Sequence, residues 1–259
     1  MWNDIRTLNL ITRALLGVVV LALMHTAYQW LARQPLFDLK VVQVHAVPGK
    51  TLRYVDEATV RSAALQRIRG NFFSVDLAAA RAAFETVPWV QHASVRREWP
   101  DKLVVTVDEF VALGTWGEQE GRLISVDGVV FTANLAEAEQ EGKLPALDGP
   151  DDSAREVAQR LYELREWLAP VKLQPRALTL SKRYAWTARL DNGMLLNLGR
   201  AHDKDELKSR VDRLISVYPQ LATALQGRIE MIDMRYPNGL ALRRRAGGSA
   251  SVTTADSDT

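Results

Sequence analysis

Hydrophobic residues are concentrated at one place near the start of this 259-residue chain. An apolar run extends from Ala14 to Leu31, and no second run of that length follows it. Eighteen helical residues at about 1.5 Å rise reach roughly 27 Å, close to the hydrocarbon thickness of a bilayer. The pattern therefore predicts a single transmembrane helix over residues 14–31 that anchors a large domain.

The length of the two flanking parts indicates the orientation better than their charges do. Basic residues stand on both sides of the run: Arg6, Arg13, Arg33 and Lys40. Residues 1–13 are too short to form a domain, so we expect them to be a cytoplasmic tail and the bulk of the chain to be periplasmic. Tyr28 and Trp30, near the end of the run, fit the membrane–water interface on the outer side of the bilayer.

A cleaved signal peptide is the main alternative to this anchor. Val20, Leu21 and Ala22 loosely fit the small-x-small rule for cleavage. Cleavage there would leave only about eight apolar residues upstream, which is short for the hydrophobic region of a signal peptide. The uncleaved anchor is therefore favoured.

Residues 36–109 have the pattern of a small β-α-α-β-β module. Alternating apolar residues mark the strands, while Asp56 and Asp76 offer N-caps for two amphipathic helices and Pro88 ends the second. The predicted elements are a strand over residues 37–47, helices over residues 56–70 and 76–87, and strands over residues 90–97 and 102–109. Two helices on one face of a three-stranded sheet would give this module its own core.

Residues 110–245 are richer in strand patterns, and Asp127–Gly128 and Asp191–Gly193 supply hairpin turns. The predicted strands cover residues 112–116, 122–126, 129–131, 176–180, 185–190, 194–198, 229–236 and 240–244. Residues 144–147 are predicted to be a loop. One helix ends at Leu168, and another runs from Asp203 to Tyr218, where Pro219 is predicted to stop it. The whole chain is thus predicted to be α+β, with helices packed on the mixed sheet of this second domain. Residues 246–259 are too polar to pack and are predicted to be a disordered tail.

Composition and motifs argue against chemistry carried out by this chain. The 33 basic and 31 acidic residues nearly balance, which does not favour nucleic-acid binding, and the absence of cysteine excludes disulfides and cysteine-ligated zinc. The four histidines are scattered without metal-ligand spacing: His25, His45, His92 and His202. Gly49–Thr51 lacks the first glycine of a phosphate-binding loop, and no Gly-x-Ser-x-Gly occurs. We expect no catalytic, metal or cofactor site.

Several segments of the chain resemble the FtsQ/DivIB family of bacterial cell-division proteins, in its proteobacterial form. In the first domain the resemblance to the family's POTRA domain is carried by Gly70–Leu77, Pro88–Val90, Ala93–Pro100 and Leu103–Val105. In the second domain it is carried by Ser125–Phe131, Leu190–Gly193, Leu198–Arg200 and Arg228–Gly239. Order and spacing both agree, so the resemblance covers nearly the whole chain.

The resemblance implies a non-enzymatic scaffold of the divisome at the division septum, held in the inner membrane as a single-pass type II protein. Such a protein binds FtsB and FtsL through its β domain, links early and late division proteins, and uses its POTRA domain and anchor for recruitment. The partner adds a segment to the last strand. The implied partner-binding residues are Arg200, Arg235, Tyr236, Asn238 and Gly239, together with Leu240 and Leu242 of the closing strand.

Two points stay open on sequence grounds. Arg243–Arg245 depart from family members with small or aromatic residues there, and they either attract an acidic partner or protect the edge strand from aggregation. The alternative function is a POTRA-type export or chaperoning module for periplasmic or outer-membrane substrates. Such a module would carry tandem repeats or a long barrel, and neither pattern is seen here.

Overall fold

A computed structural model describes residues 5–32, 39, 41–56, 60, 71–201, 204–225, 228–236 and 239–244. The chain divides into two compact units, residues 1–110 and residues 111–259. Each unit has its own sheet, and helices accompany both sheets. The predicted α+β class is confirmed.

Helix α1 (Ile5–Ala32) contains the predicted anchor but is longer than residues 14–31. Its membrane-compatible span is Asn9–Ala27, with a mean hydropathy of 1.9 and no part buried within the protein. The helix begins earlier than the apolar run because backbone hydrogen bonds continue through polar residues beyond a bilayer. By length and composition, α1 is able to cross a membrane.

A three-stranded sheet forms the rest of the first unit, in the order β1-β3-β2. Its strands are β1 (Val41–Ala46), β2 (Val90–Glu98) and β3 (Lys102–Glu109), with β1 parallel and β2 antiparallel to β3. Helix α2 (Leu77–Phe84) is capped by the Asp76 carboxylate, which accepts hydrogen bonds from two backbone N–H groups. It ends before the predicted residue 87, because residues 85–89 turn toward β2. Nearly all of the helix predicted over residues 56–70 lies outside the described residues.

The second unit is built on a nine-stranded sheet in the order β12-β11-β10-β9-β8-β7-β4-β5-β6. Its strands are β4 (Ala112–Trp116), β5 (Arg122–Ser125), β6 (Val130–Thr132), β7 (Ala146–Asp148), β8 (Pro175–Leu180), β9 (Ala185–Leu190), β10 (Leu195–Arg200), β11 (Ile229–Asp233) and β12 (Ala241–Arg244). Its helices are α3 (Leu135–Ala138), α4 (Ala154–Leu168) and α5 (Lys204–Ala224). Helices α4 and α5 contribute their apolar stripes to one core with the strands.

Strand β7 corrects the prediction that residues 144–147 form a loop. It lies in the interior of the sheet, parallel to both β4 and β8, and the Leu147 side chain is only 1% exposed. The neighbouring strand approaches so closely that a Cβ on Gly114 would lie 2.6 Å from the Pro145 carbonyl oxygen. A three-residue strand has too few positions to show a period, so its neighbours decide its conformation.

Helix α5 corrects the prediction that Pro219 ends the last helix. The proline lies inside the helix, which continues to Ala224. A proline removes one backbone hydrogen bond and costs about 3 kcal/mol in a helix interior. Leu221 and Leu225, beyond the proline, pack against the core together with Tyr218, and this burial offsets the loss.

Helix α5 also determines which strand lies at the edge of the sheet. It connects β10 to β11, which pair in parallel, with Leu196 opposite Ile232. The chain then reverses after β11, and β12 pairs antiparallel with it. The last strand, β12, therefore lies at one end of the sheet, with β11 as its neighbour.

Candidate partner-binding edge

Strand β12 forms one edge of the nine-stranded sheet. It pairs with β11, with Leu242 opposite Ile232, and all four of its residues are exposed. No strand of the described chain lies along its other side. An edge strand presents unpaired N–H and C=O groups on that side, so β12 is a template to which another strand can add.

The end of β10 and the segment after β11 meet beside this edge, at what we call the β12 corner: Arg200, Arg235, Tyr236 and Gly239. Strand β10 extends to Arg200, past the predicted end at Leu198, because Arg200 still pairs with β9. Gly199 has a φ of +75°, and a Cβ there would lie 2.6 Å from Cγ of Arg235. The absence of a side chain on Gly199 thus leaves room for the Arg235 side chain against the end of β10.

Arg235 is fixed in this corner by a bidentate ion pair with Asp233. Its Nε donates to Oδ1 at 2.9 Å and its Nη2 donates to Oδ2 at 2.6 Å. The hydrogen bond from Arg235 lowers the pKa of Asp233, and the same hydrogen bond raises the pKa of Arg235. The guanidinium is therefore charged and held in one orientation, although its side chain remains exposed.

Two arginines of α5, which the sequence analysis missed, position the backbone of the corner. Arg210 Nη1 donates to the carbonyl oxygens of Leu198 at 2.6 Å and of Arg200 at 2.7 Å. Arg213 Nη1 donates to the carbonyl oxygen of Tyr236 at 2.9 Å. Their spacing of three residues places both on one side of the helix, but an exposed helix face has the same spacing, so the sequence does not indicate this role.

The remaining predicted site residues have different environments. The Tyr236 side chain is 55% exposed and Leu242 is 39% exposed, so both are accessible to a partner. Leu240 is partly buried against the core of the unit, where it anchors the start of β12. A Cβ on Gly239 would meet no atom within 4 Å. Asn238 lies outside the described residues.

The arginines of the closing strand differ in their ion pairing. Arg243 donates to Glu230 of β11 at 3.0 Å, and both side chains stay largely exposed. Arg244, the last residue of β12, is exposed, and Arg245 lies outside the described residues. Arg243 and Arg244 therefore make the far end of β12 basic, whereas Arg200 lies on β10, level with the start of β12.

Among the described residues, no group of three His, Asp or Glu side chains is arranged to hold a metal ion. The buried Glu163 pairs with Arg160 at 2.7 Å, and that guanidinium lies 5.4 Å from the Trp186 ring centroid. This pair is part of the core between α4 and the sheet.

Comparison with known proteins gives the family of this chain. Residues 47–110 match the family "POTRA domain, FtsQ-type", and residues 114–235 match the family "Cell division protein FtsQ/DivIB, C-terminal". The chain is 45% identical to cell division protein FtsQ of Burkholderia pseudomallei, over 99% of this chain and 98% of that protein. It is 40% identical to cell division protein FtsQ of Bordetella pertussis, over 93% and 92% of the two chains. Cell division protein FtsQ of Nitrosospira multiformis is 34% identical, over 94% of this chain and 99% of that protein. The chain belongs to the FtsQ/DivIB family of cell division proteins, and it has the FtsQ-type POTRA domain and the C-terminal domain of that family.

Proposed function

We propose that this protein is a scaffold of the divisome that binds FtsB and FtsL through the open edge of its second unit. The observation that carries this proposal is the fully exposed strand β12, which has Tyr236 and a fixed Arg235 beside it. A scaffold acts by binding a partner, so it needs a recognition surface rather than reacting groups. Strand β12 and the β12 corner would provide that surface.

The binding mode follows from the chemistry of the edge. A partner strand would hydrogen-bond to the backbone of β12, which supplies affinity regardless of side chains. Tyr236 would serve as an aromatic anchor, a residue type that is enriched among interface hot spots. Arg200 and Arg244 would attract carboxylates of the partner and set its register, a contribution that salt weakens. Asn238, which precedes β12 in the sequence, belongs to the same proposed site.

The location follows from α1. With α1 as an uncleaved anchor, the short N-terminal tail would lie in the cytoplasm, and the POTRA domain and the second unit would lie in the periplasm, at the septum. FtsB and FtsL, which the resemblance implies as partners, would then meet β12 on the periplasmic side, and the POTRA domain and anchor would contribute to recruitment.

Site-directed crosslinking tests the proposal directly, because the chain has no cysteine of its own. A single cysteine at Leu242, in the full-length protein, should form disulfides with cysteines placed along the periplasmic segment of the host's FtsB. Efficient partners should recur at every second FtsB position, as expected for strand addition. The matched control is Thr132→Cys, exposed on β6 at the opposite edge of the sheet, which should not crosslink.

Crosslinking from Thr132 and not from Leu242 would contradict the proposed edge. Depletion of the protein in its host separates the two functions considered from the sequence. Long, unseparated filaments would support the divisome role. Normal division with outer-membrane defects would instead support an export or chaperoning module.

A further inference from the structure

Three aromatic residues form a cluster on the surface of the first unit. The ring centroids of Phe72 and Trp99 are 5.6 Å apart, those of Phe72 and Phe73 are 5.3 Å apart, and those of Phe73 and Trp99 are 6.4 Å apart. The Trp99 side chain is 64% exposed and Phe73 is 43% exposed. Apolar rings of this size are costly to leave in water, so an exposed cluster of them indicates a docking surface.

The backbone around the cluster is held in place before any docking occurs. The Asn71 side-chain oxygen accepts hydrogen bonds from the N–H groups of Phe73 at 3.1 Å and Ser74 at 3.0 Å, which fixes the turn carrying the two phenylalanines. Arg97 Nη2 donates to the Val75 carbonyl oxygen at 2.7 Å, which ties this turn to the end of β2. Docking would therefore order little of the chain, and this lowers its entropic cost.

The register of the sheet places this cluster at the end nearest the membrane anchor. Val41, the first residue of β1, lies opposite Lys102 of β3, and Glu98 of β2 also lies opposite Lys102. Trp99 is in the turn between β2 and β3, so it lies at the same end of the sheet as the start of β1. The two are separated by one or two strand spacings, roughly 5–10 Å.

The length of the chain keeps that end of the sheet close to the bilayer. From Ala32, the last residue of α1, to Val41 there are nine residue steps, which span at most roughly 30 Å in any conformation. The apolar span of α1 ends at Ala27, and the helix continues for about 8 Å to Ala32. With this span in the bilayer, the helix would end in the headgroup region, and the exposed Trp30 would lie at the interface.

The charges around the cluster suit an interface of neutral and weakly anionic lipid. Among the described residues next to Trp99, the cations are Arg96, Arg97 and Lys102 and the carboxylates are Glu98 and Asp101, so cations exceed carboxylates by one. Arg96 pairs with Glu98 at 3.4 Å. Electrostatic adsorption takes a cluster of about four to eight basic residues, more than these described residues supply. An amphipathic Trp ring next to apolar Phe rings, with polar residues around them, suits the headgroup–acyl boundary.

We infer that Phe72, Phe73 and Trp99 dock the POTRA domain on the outer surface of the lipid bilayer, with the aromatic rings at the headgroup–acyl boundary. The inference rests on the proposed membrane anchoring by α1. Docking gives the domain a fixed orientation, in which the β2–β3 turn faces the lipid and the opposite end of the sheet, near Thr51, points away from it.

Spin labels on single cysteines of the full-length protein test this inference in vesicles of phosphatidylcholine with a minority of phosphatidylglycerol. The labelled variants are Asp101→Cys beside the cluster, Thr51→Cys at the far end and Gly17→Cys within α1, where a side chain meets no other atom. Relative accessibility to oxygen and to a water-soluble nickel complex reports the depth of each label. We expect the label at residue 101 within roughly 5–10 Å of the headgroup–acyl boundary, the label at 51 in water and the label at 17 in hydrocarbon.

The aromatic residues are tested by substitution in the Asp101→Cys background. Phe73→Ser combined with Trp99→Ser should move the label at residue 101 into water, whereas Trp99→Tyr should keep it at the boundary. Circular dichroism verifies that each variant is folded. The measurement on the parent aromatic cluster needs no substitution of the rings, so a poorly folded serine variant does not remove the test.

The outcomes separate the inference from the anchor on which it rests. A label at 17 in hydrocarbon with a label at 101 in water would overturn the docking and leave the anchor intact. A label at 17 in water would overturn both. Equal depth at 51 and 101, or no change with the serine variant when it is folded, would overturn the aromatic docking. Loss of division in the serine variant, with residue 101 in water in the parent, would assign the cluster to a protein partner and overturn the lipid proposal.

Discussion

The two edges of the nine-stranded sheet are built in opposite ways. At one end, β6 has three residues, its central Phe131 is buried, and α3 begins almost at once after it. The N–H of Ala133 donates to the Gly121 carbonyl oxygen at 3.0 Å, which extends the pairing of β6 with β5 by one residue before α3 begins. At the other end, β12 is exposed along its whole length. A very short edge strand protects a sheet from unwanted pairing, whereas an exposed edge beside an aromatic residue is suited to a partner.

Removing β12 should have the largest effect, because it removes the backbone template itself. A chain that stops after Leu240 should lose at least about a hundredfold in affinity for the periplasmic segment of FtsB. The matched control stops after Arg245 and keeps β12, so it should bind as the full chain does. Titration by calorimetry checks both. Equal affinities for the two truncated proteins would show that binding does not use this edge.

Among single side chains, Tyr236 should contribute most to the free energy of partner binding. Tyr236→Ala should cost roughly 2 kcal/mol of binding, about thirtyfold, and leave the melting temperature nearly unchanged because the ring is largely exposed. The control is Tyr184→Ala in the β8–β9 turn, where the ring is exposed to a similar degree, 56%. If the folded Tyr236 variant binds as tightly as the Tyr184 variant, the tyrosine is not an anchor.

Gly199 should matter through the geometry of the β12 corner. Gly199→Ala places a side chain at a φ of +75° and against Arg235, so it should lower the free energy of unfolding by about 1–2 kcal/mol and weaken FtsB binding as well. Gly239→Ala, in open space at the same corner, should change stability by less than about 0.5 kcal/mol. Urea unfolding measures both. If Gly199→Ala changed neither stability nor binding, the position of Arg235 would not depend on the missing side chain of Gly199.

Charge reversal at Arg200 should give a smaller effect that depends on salt. Arg200→Glu should weaken binding of an acidic segment several-fold at low salt, and the difference should shrink as ionic strength rises. Arg155→Glu is the control at the other end of the sheet, where Arg155 lies against Gly128 in the β5–β6 turn. It changes the net charge equally. A similar loss in both variants would indicate general attraction rather than a contact at the corner.

The Asp233–Arg235 pair should give the smallest effect, seen as a dependence of stability on pH. Arg235 lowers the pKa of Asp233 in the folded protein, so the pair stabilises fully above the ordinary carboxyl value of about 3.9. That contribution is lost as pH falls through the lower, folded pKa. Asp233→Asn should lower the melting temperature by roughly 1–2 °C at neutral pH. The difference should vanish in acid, and Glu120→Gln, in the exposed β4–β5 turn, should not show this pattern.

Local signals in the sequence predicted most elements of the fold but not all of their ends. Asp76 caps its helix as predicted, and the turns at Asp127–Gly128 and Asp191–Gly193 do connect antiparallel strands. These features depend on residues within a few positions of each other. Pro219 shows the limit, because packing of residues distant in sequence carried the helix past a local stop signal.

The residues of the proposed site also fall into two groups, those predicted from the sequence and those found only in the structure. The sequence pointed to Arg235 and Tyr236 because they stand in a segment that resembles the family. The structure added Arg210 and Arg213, whose hydrogen bonds reach backbone atoms 10 to 23 residues away. No spacing within α5 reveals such bonds, since a solvated helix face has the same arginine pattern.

The sequence by itself determined the apolar anchor segment, the two-domain order and the turn residues, because each depends on short-range periodicity or on the backbone preferences of single residues. Only the tertiary structure decided that β7 is a strand inside the sheet, that β10 and β11 pair in parallel across α5, and that β12 is left at the edge. The physical reason is that strand order depends on pairing between segments far apart in the chain, and that pairing is selected by burial in a common core.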